Sequence, residues 1–309
     1  MSAAVQQAPF TPSESQLTVA YSVCRGITRT SAKNFYYAFL VLPGLKRRAL
    51  SAVYAYMRRC DDIVDDPASS LQERRQKLVD WLDSVHRAMA GHPTEEPVLL
   101  ALTVAQRRFS IPVELLDGLA YGTAQDLTLA AQPPNPEEPL VRYRTFEDLR
   151  AYCYGVASVV GLVCIRIFGY RDPAAEPLAE RCGLAFQLTN IIRDVKEDAA
   201  MGRVYLPEED MARFGVAASE LRTAPDTARL RLLLEMEANR AREYYRAAEQ
   251  LIPLIDEDCQ PGLWVLVTIY RKLLEKIAAR QYDVFSKKIA LTTGEKLFVL
   301  WKGFLQRLV

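Results

Sequence analysis

Asp61-Asp62-Ile63-Val64-Asp65 and Asn190-Ile191-Ile192-Arg193-Asp194-Val195-Lys196-Glu197-Asp198 concentrate the side chains of this sequence that could do chemistry. On an α-helix, where each residue turns about 100°, Tyr54, Arg58, Asp61 and Asp65 fall within about 60° of one another. By the same arithmetic Gln187, Asn190, Asp194 and Asp198 fall within about 80°. Each stretch therefore projects a stripe of oxygen donors with an arginine, Arg58 or Arg193, beside it. Like charges stacked on one helix face repel unless something positive sits between them. Two such stripes facing each other would form an oxygen-lined site suited to magnesium, which proteins commonly use to hold phosphates.

A diphosphate held through magnesium needs hard oxygen ligands, which Asp61, Asp65, Asn190 and Asp194 would supply. Arg58 and Arg193 would neutralise the remaining phosphate charge, and Lys33, in Ser31-Ala32-Lys33-Asn34-Phe35, is a further candidate cation. If the diphosphate is a leaving group, these cations stabilise the charge that develops as its carbon–oxygen bond breaks. The carbocation left behind needs a dry cavity with electron-rich walls. Phe35, Tyr54, Tyr152, Tyr154, Phe186 and Tyr270, among others, stand in apolar helical contexts and could line one. The competing reading is a solvated acidic face. It would account for a lone DxxxD, but such faces more often carry glutamate–lysine pairs at four-residue spacing than the Gln187/Asn190/Asp194/Asp198 stripe. Any single aromatic reads more simply as core packing; only the set points to a cation.

The elements that must position these groups are helical. The 309-residue chain is 50% hydrophobic with a formal net charge of +1, which gives no electrostatic case for nucleic acid or for a bulk basic membrane patch. Six scattered cysteines without CxxC spacing read as small buried residues in a reducing compartment. Two histidines, His86 and His92, argue against a zinc site or a histidine triad. Residues 1–10 have no signal-peptide pattern and read as a flexible N-terminus. The longest apolar run, Val156–Ile165, is too short to span a bilayer and reads as a buried core helix. Thr11-Pro12-Ser13-Glu14 predicts a helix start capped by Thr11, and helical periodicity dominates from there, with no convincing strand. The expectation is one all-α domain over 11–309, of roughly ten or more helices, in a soluble, cytoplasmic protein. Tyr152-Cys153-Tyr154-Gly155-Val156-Ala157-Ser158-Val159-Val160-Gly161 sets small residues in a core helix, which predicts close helix contact or room for a long apolar ligand.

At these residues the sequence resembles the squalene/phytoene synthase family of head-to-head isoprenoid synthases. The match runs from Asn34-Phe35-Tyr36 to Tyr270-Arg271. Its most specific parts are Tyr54-x3-Arg58-x2-Asp61-Asp62-x2-Asp65, Gln187-x2-Asn190-x2-Arg193-Asp194-x3-Asp198 and Gly202-Arg203-Val204-Tyr205-Leu206-Pro207. Gly122-x3-Asp126-Leu127 adds to them. The resemblance implies a single-domain isoprenoid synthase helical bundle around a central apolar cavity. There two allylic prenyl diphosphates bind through two or three magnesium ions. One substrate ionises, the double bond of the other attacks its allylic cation, and proton loss gives a cyclopropyl diphosphate. Members that complete the reaction rearrange it to a coupled hydrocarbon. Carried over by position, Asp61, Asp65, Asn190 and Asp194 are metal ligands, supported by Asp62 and Asp198. Ser31, Lys33, Asn34, Phe35, Tyr54, Arg58, Tyr152, Gln187, Arg193 and Tyr270 are the substrate contacts, and Tyr205 lies near a closing loop.

The sequence departs from the family in inserting Gln132–Pro139, a proline-rich stretch that reads as a surface loop. The wording of Ser158–Ile165 and Val195–Asp198 leans toward the bacterial squalene or presqualene diphosphate branch, which uses farnesyl diphosphate and serves hopanoid synthesis. The phytoene branch, which condenses two geranylgeranyl diphosphates in carotenoid synthesis, is the alternative. The absence of a Gly-x-Gly-x-x-Gly motif argues against NADPH. The apolar tail from Lys296 predicts a last helix covering the bundle or, alternatively, a peripheral contact with the inner face of the membrane. A monomer or weak dimer is expected.

Overall fold

The computed structural model describes residues 10–32, 34–129, 140–141, 143–223 and 228–308. Lys33 and the insert 132–139 lie outside the described residues, as do residues 1–9 and the Asp126 side chain. Fourteen α-helices are present among the described residues, and their contacts group into two units.

The first unit is Met1–Tyr36 with Pro43–Thr128. In it α1 (Glu14–Ser31), α3 (Gly44–Val64) and α5 (Pro97–Phe109) pack on one another, and α4 (Leu71–Met89) lies against α3 and α5. Helix α2 (Phe35–Val41) begins in this unit, and α6 (Val113–Leu129) closes it. Alanines at 49, 52 and 55 and the buried Leu50, Val53 and Tyr56 give α3 its core face. The Tyr56 hydroxyl donates to the Leu116 carbonyl at 2.9 Å, tying α3 to α6 and satisfying a fully buried polar atom. The cap of α1 is not Thr11. Ser13 caps the helix two residues later, with its hydroxyl accepting from Gln16 N–H and the Gln16 side chain accepting from Ser13 N–H. Thr11 with Glu14 and Ser13 with Gln16 have the same capping-box spacing, and the box that forms is the second, which satisfies two orphan donors at once.

The second unit is Tyr37–Leu42 with Leu129–Val309. Its centre is α9 (Ala175–Ala200) packed along α12 (Ala228–Leu251). The Thr189 and Tyr245 hydroxyls pair at 2.8 Å inside that contact. Helices α7 (Phe146–Cys153) and α8 (Val159–Phe168) are joined by a π-helical turn, Tyr154–Ser158, into one rod. The apolar run noted in the sequence is thus part of a longer helix. Phe146–Phe168 is long and apolar enough to cross a membrane, and half of its apolar window is buried within the protein. The small residues serve close contact. A Cβ at Gly161 would lie 2.6 Å from the Ala179 carbonyl oxygen, and one at Gly183 would lie 2.5 Å from that of Ala157. Helices α10 (Glu208–Phe214), α11 (Glu220–Thr223), α13 (Gln260–Ala279) and α14 (Thr293–Leu308) complete the unit. Two strands that the sequence did not predict, β1 (Leu140–Val141) and β2 (Arg203–Val204), pair in parallel over two residues each. They are too short to show a period-two pattern.

Candidate active site

Both acid clusters sit at the C-terminal ends of their helices. Asp61 and Asp62 occupy the last turn of α3, Asp65 is its C-cap, and no basic residue shares that turn. Asp194, Glu197 and Asp198 lie toward the end of α9, whose last turn also lacks a cation. The helix macrodipole is negative there, and it favours cations rather than carboxylates. Each cluster is therefore electrostatically unfavourable by itself, and each calls for added positive charge.

In the first unit the Arg58 guanidinium pairs with Asp62 at 2.6 Å, one helical turn on, rather than standing between Asp61 and Asp65. Asp61 is half-buried and accepts from the Thr123 hydroxyl of α6 at 3.3 Å. Burial pushes its carboxyl up to about 6, against the pull of Arg58. Asp62 and Asp65 are exposed, and Tyr54 is half-buried one turn before Arg58. Ser31, Asn34 and Phe35 are half-buried where α1 gives way to α2. Beyond the cluster, Asp66 accepts from Ser69, Ala68 N–H and Lys77, which ties it into a turn away from the stripe.

In the second unit Arg193 donates from Nε and Nη2, one edge of its guanidinium, to the two carboxylate oxygens of Asp194, and Lys288 bridges Asp194 at 3.3 Å and Glu197 at 3.2 Å. Burial opposes ionisation of Asp194, but these two cations hold its carboxyl below the ordinary value. Asp198 behaves oppositely. Burial pushes it up to about 7, repulsion from Asp194 adds to this, and Arg203 counteracts it only partly. The Asn190 amide donates weakly to Gln187 at 3.5 Å, while its carbonyl oxygen is buried without a partner. One carboxylate oxygen of Glu197 is likewise unpartnered. Buried acceptors without donors are uncommon and costly. An orphan amide oxygen beside two carboxylates fits a hard cation.

Among the described residues no three acidic, histidine or cysteine side chains converge closely enough to hold an ion alone. Magnesium bound with a phosphorylated substrate takes one or two carboxylates and fills its octahedron with phosphate oxygens and water. The donors present fit that mode. They do not fit an all-protein cage.

Aromatic groups gather in the second unit. Tyr152 and Tyr205 stack with ring centroids 5.4 Å apart, and Tyr143 lies 5.3 Å from Tyr152 and 6.2 Å from Tyr205. Phe186 stacks on Tyr270 at 4.5 Å. Tyr154, by contrast, is exposed. Two residues along a helix rotate about 200°, so Tyr152 and Tyr154 cannot both face inward. Sequence reasoning missed Tyr143, Thr123 and Lys288. Thr123 adjoins the Gly122 of a noted motif, but no spacing rule links Lys288 to a carboxylate so far back in the chain.

The chain matches the squalene/phytoene synthase family model over residues 28–295. It belongs to that family. The squalene/phytoene synthases are head-to-head prenyltransferases acting on prenyl diphosphates, and they bind diphosphate through a divalent metal. A 15-cis-phytoene synthase of Synechococcus elongatus is 35% identical over 95% of this chain and 96% of its own length. A phytoene synthase of Mycobacterium tuberculosis is also 35% identical, over 91% and 89%. Among solved structures, a dehydrosqualene synthase with bound ligand superposes with a TM-score of 0.82, at 31% identity over 94% of this chain and 96% of that one. Squalene synthase HpnC from Alicyclobacillus acidocaldarius gives 0.77, at 27% identity over 88% and 97%. The helical isoprenoid synthase fold expected from sequence is thereby established.

Proposed function

We propose that this squalene/phytoene synthase condenses two farnesyl diphosphates head to head to presqualene diphosphate, releasing one diphosphate. The observation that carries the reaction class is the pair of acid clusters at helix C-termini, with the unpartnered Asn190 oxygen in one of them. Asp61, Asp65, Asn190 and Asp194 are the proposed magnesium ligands, with Asp62 and Asp198 in support. Bound magnesium supplies positive charge to the diphosphate oxygens, which makes diphosphate a better leaving group. Arg58 and Arg193 release their aspartates and donate to phosphate oxygens instead. Ser31, Lys33, Asn34 and Gln187 orient the substrates. As the first substrate's carbon–oxygen bond breaks, its allylic carbon becomes cationic. The double bond of the second substrate attacks that carbon, and loss of a proton closes the cyclopropane ring. Tyr152, Tyr205 and Tyr270 present ring faces that stabilise a cation without trapping it. The reaction stops without NADPH.

Farnesyl diphosphate is supported by the likeness to the dehydrosqualene synthase and to squalene synthase HpnC. A second reading, condensation of two geranylgeranyl diphosphates to prephytoene diphosphate and phytoene, is supported by the phytoene synthases at 35% identity. The test is mass spectrometry of products after incubation with magnesium and each diphosphate alone, with and without NADPH. A C30 cyclopropyl diphosphate from farnesyl diphosphate is the expected product. A C40 product formed from geranylgeranyl diphosphate alone establishes the second reading. No doubled chain from either substrate removes both.

A further inference from the structure

Lys288 reaches the acid stripe of α9 from residues 280–292, the segment that links α13 to α14. The backbone around it is pinned. Val284, Phe285 and Ile289 are buried, and the Asp283 carboxylate accepts from the Phe285 and Ser286 N–H groups at 3.1 and 2.9 Å. The Lys196 ammonium of α9 donates to the Phe285 carbonyl at 2.5 Å. The Lys288 side chain is held far less firmly: it is 58% exposed, and its contacts to Asp194 and Glu197 are 3.3 and 3.2 Å long. An ammonium on a flexible four-carbon stem, carried by an anchored backbone, can leave its partners without disturbing the fold.

We propose that Lys288 is a resident counter-cation, whose ammonium holds Asp194 and Glu197 until magnesium displaces it. Asn190, Asp194 and Glu197 fall within about 60° of one another on α9. A carboxylate offers about four lone-pair sites, and three of those on Asp194 are engaged: Arg193 donates to both oxygens, and Lys288 lies against Oδ1. A metal ion reaches this carboxylate only as a donor withdraws. Arg193 is the firmer of the two, since its side chain is 20% exposed and its contact is bidentate. Lys288 is therefore the group that yields to metal alone. The ammonium also serves the stripe incompletely. It brings a single charge, and it leaves the Asn190 oxygen and one Glu197 oxygen buried without donors. A divalent ion brings twice the charge and takes oxygen ligands of this kind. The inference rests on the reading of Asp194 as a magnesium ligand, and it fixes a sign. Removing a residue that builds a metal site weakens metal binding, whereas removing a competitor strengthens it.

The test needs no substrate and no turnover. The full chain is titrated with manganese(II) as a magnesium probe, and free ion is read by electron paramagnetic resonance. Exposed ion pairs are individually weak, so Lys288→Met should bind the ion about three- to tenfold more tightly than the parent. Lys288→Arg, which keeps the charge, should stay within about twofold of the parent. Lys287→Met removes an equal charge from the exposed neighbouring residue and should also leave affinity unchanged. Circular dichroism of each variant should match the parent, because the substituted side chains are exposed. Unchanged or weaker binding by Lys288→Met overturns the proposal, and so does an equal gain in Lys287→Met, which would trace the effect to net charge. Adding Asp194→Asn should abolish the gain. If Asp194→Asn leaves affinity unchanged both in the parent and in Lys288→Met, the ion binds elsewhere, and the reading of Asp194 as a ligand fails along with the inference.

Discussion

Asn190 holds a buried acceptor that a bound cation would satisfy. Its side-chain oxygen is buried and accepts no hydrogen bond, a condition that costs about 1–3 kcal/mol. Replacing it with leucine should therefore raise the melting temperature of the metal-free protein, by roughly 2–4 °C for each kcal/mol recovered in a large domain. The same change should lower kcat/KM at least about 100-fold, since even outer-shell partners of a metal are worth about 10–100-fold. A variant that keeps its magnesium activation curve would exclude Asn190 as a ligand. Asp198 supplies a pH test. Its carboxyl stands near 7 in the fold against an ordinary 3.8. A raised carboxyl contributes stability below its unfolded value and loses that contribution as pH rises through the folded value. Metal-free Asp198→Asn should accordingly match the parent near pH 4 and become the more stable of the two by pH 8. Magnesium affinity of the parent should climb over the same interval, because Asp198 and Asp61 must shed protons to bind it. Equal thermal stability of parent and variant at both pH values would place Asp198 in an ordinary solvated state.

At the scale of elements, the contact between the α7–α8 rod and α9 is set by two missing side chains. Gly183→Ala would push a methyl to 2.5 Å from the Ala157 carbonyl oxygen, in the π-helical turn. Overpacking against backbone typically costs about 1–3 kcal/mol, so a fall in melting temperature of several degrees is expected. An unchanged melting curve would show that the turn yields. The link between α10 and α12 is electrostatic. Arg240 donates to Asp210 at 2.8 Å and to Glu237 at 2.9 Å, and its guanidinium lies 4.0 Å from the Phe146 ring centroid. Burial and the nearby Asp210 raise the Glu237 carboxyl although Arg240 pulls it down. Arg240→Met should cost about 3–5 kcal/mol at pH 8, where two buried carboxylates lose their partner. The cost should shrink at pH 5, as Glu237 takes up a proton. Chemical denaturation at the two pH values reads both numbers, and a pH-independent cost would mean that Glu237 stays charged throughout.

At the scale of the whole molecule, a net charge of +1 hides an uneven distribution. Residues 15–60 hold Arg25, Arg29, Lys33, Lys46, Arg47, Arg48, Arg58 and Arg59 and no acid, whereas the first acid cluster begins at Asp61. The cationic stretch includes the proposed diphosphate contacts Lys33 and Arg58. A positive field around an anion site raises the rate of encounter and is screened by salt. The kcat/KM of the parent should thus fall several-fold between about 50 and 300 mM salt. Arg25→Glu with Arg29→Glu, both on exposed positions of α1, should flatten that dependence. A salt profile identical in parent and variant would locate the steering elsewhere.

The sequence by itself determined the helical class, the family and the two acid stripes. These rest on short-range physics: a 3.6-residue period places Asp61 with Asp65 and Asn190 with Asp194 whatever the rest of the chain does. Local rules also carried the α1 start to within two residues, and erred only because two competing caps stood side by side. Tertiary structure alone decided what depends on neighbours distant in the chain. It gave Asp61 its Thr123 partner, set Lys288 between Asp194 and Glu197, gathered Tyr143 with Tyr152 and Tyr205, and turned Tyr154 outward. It also left Asn190 without a donor and α14 with one face uncovered. Burial and long-range pairing fix those outcomes, and neither is encoded in the spacing of residues along a single helix.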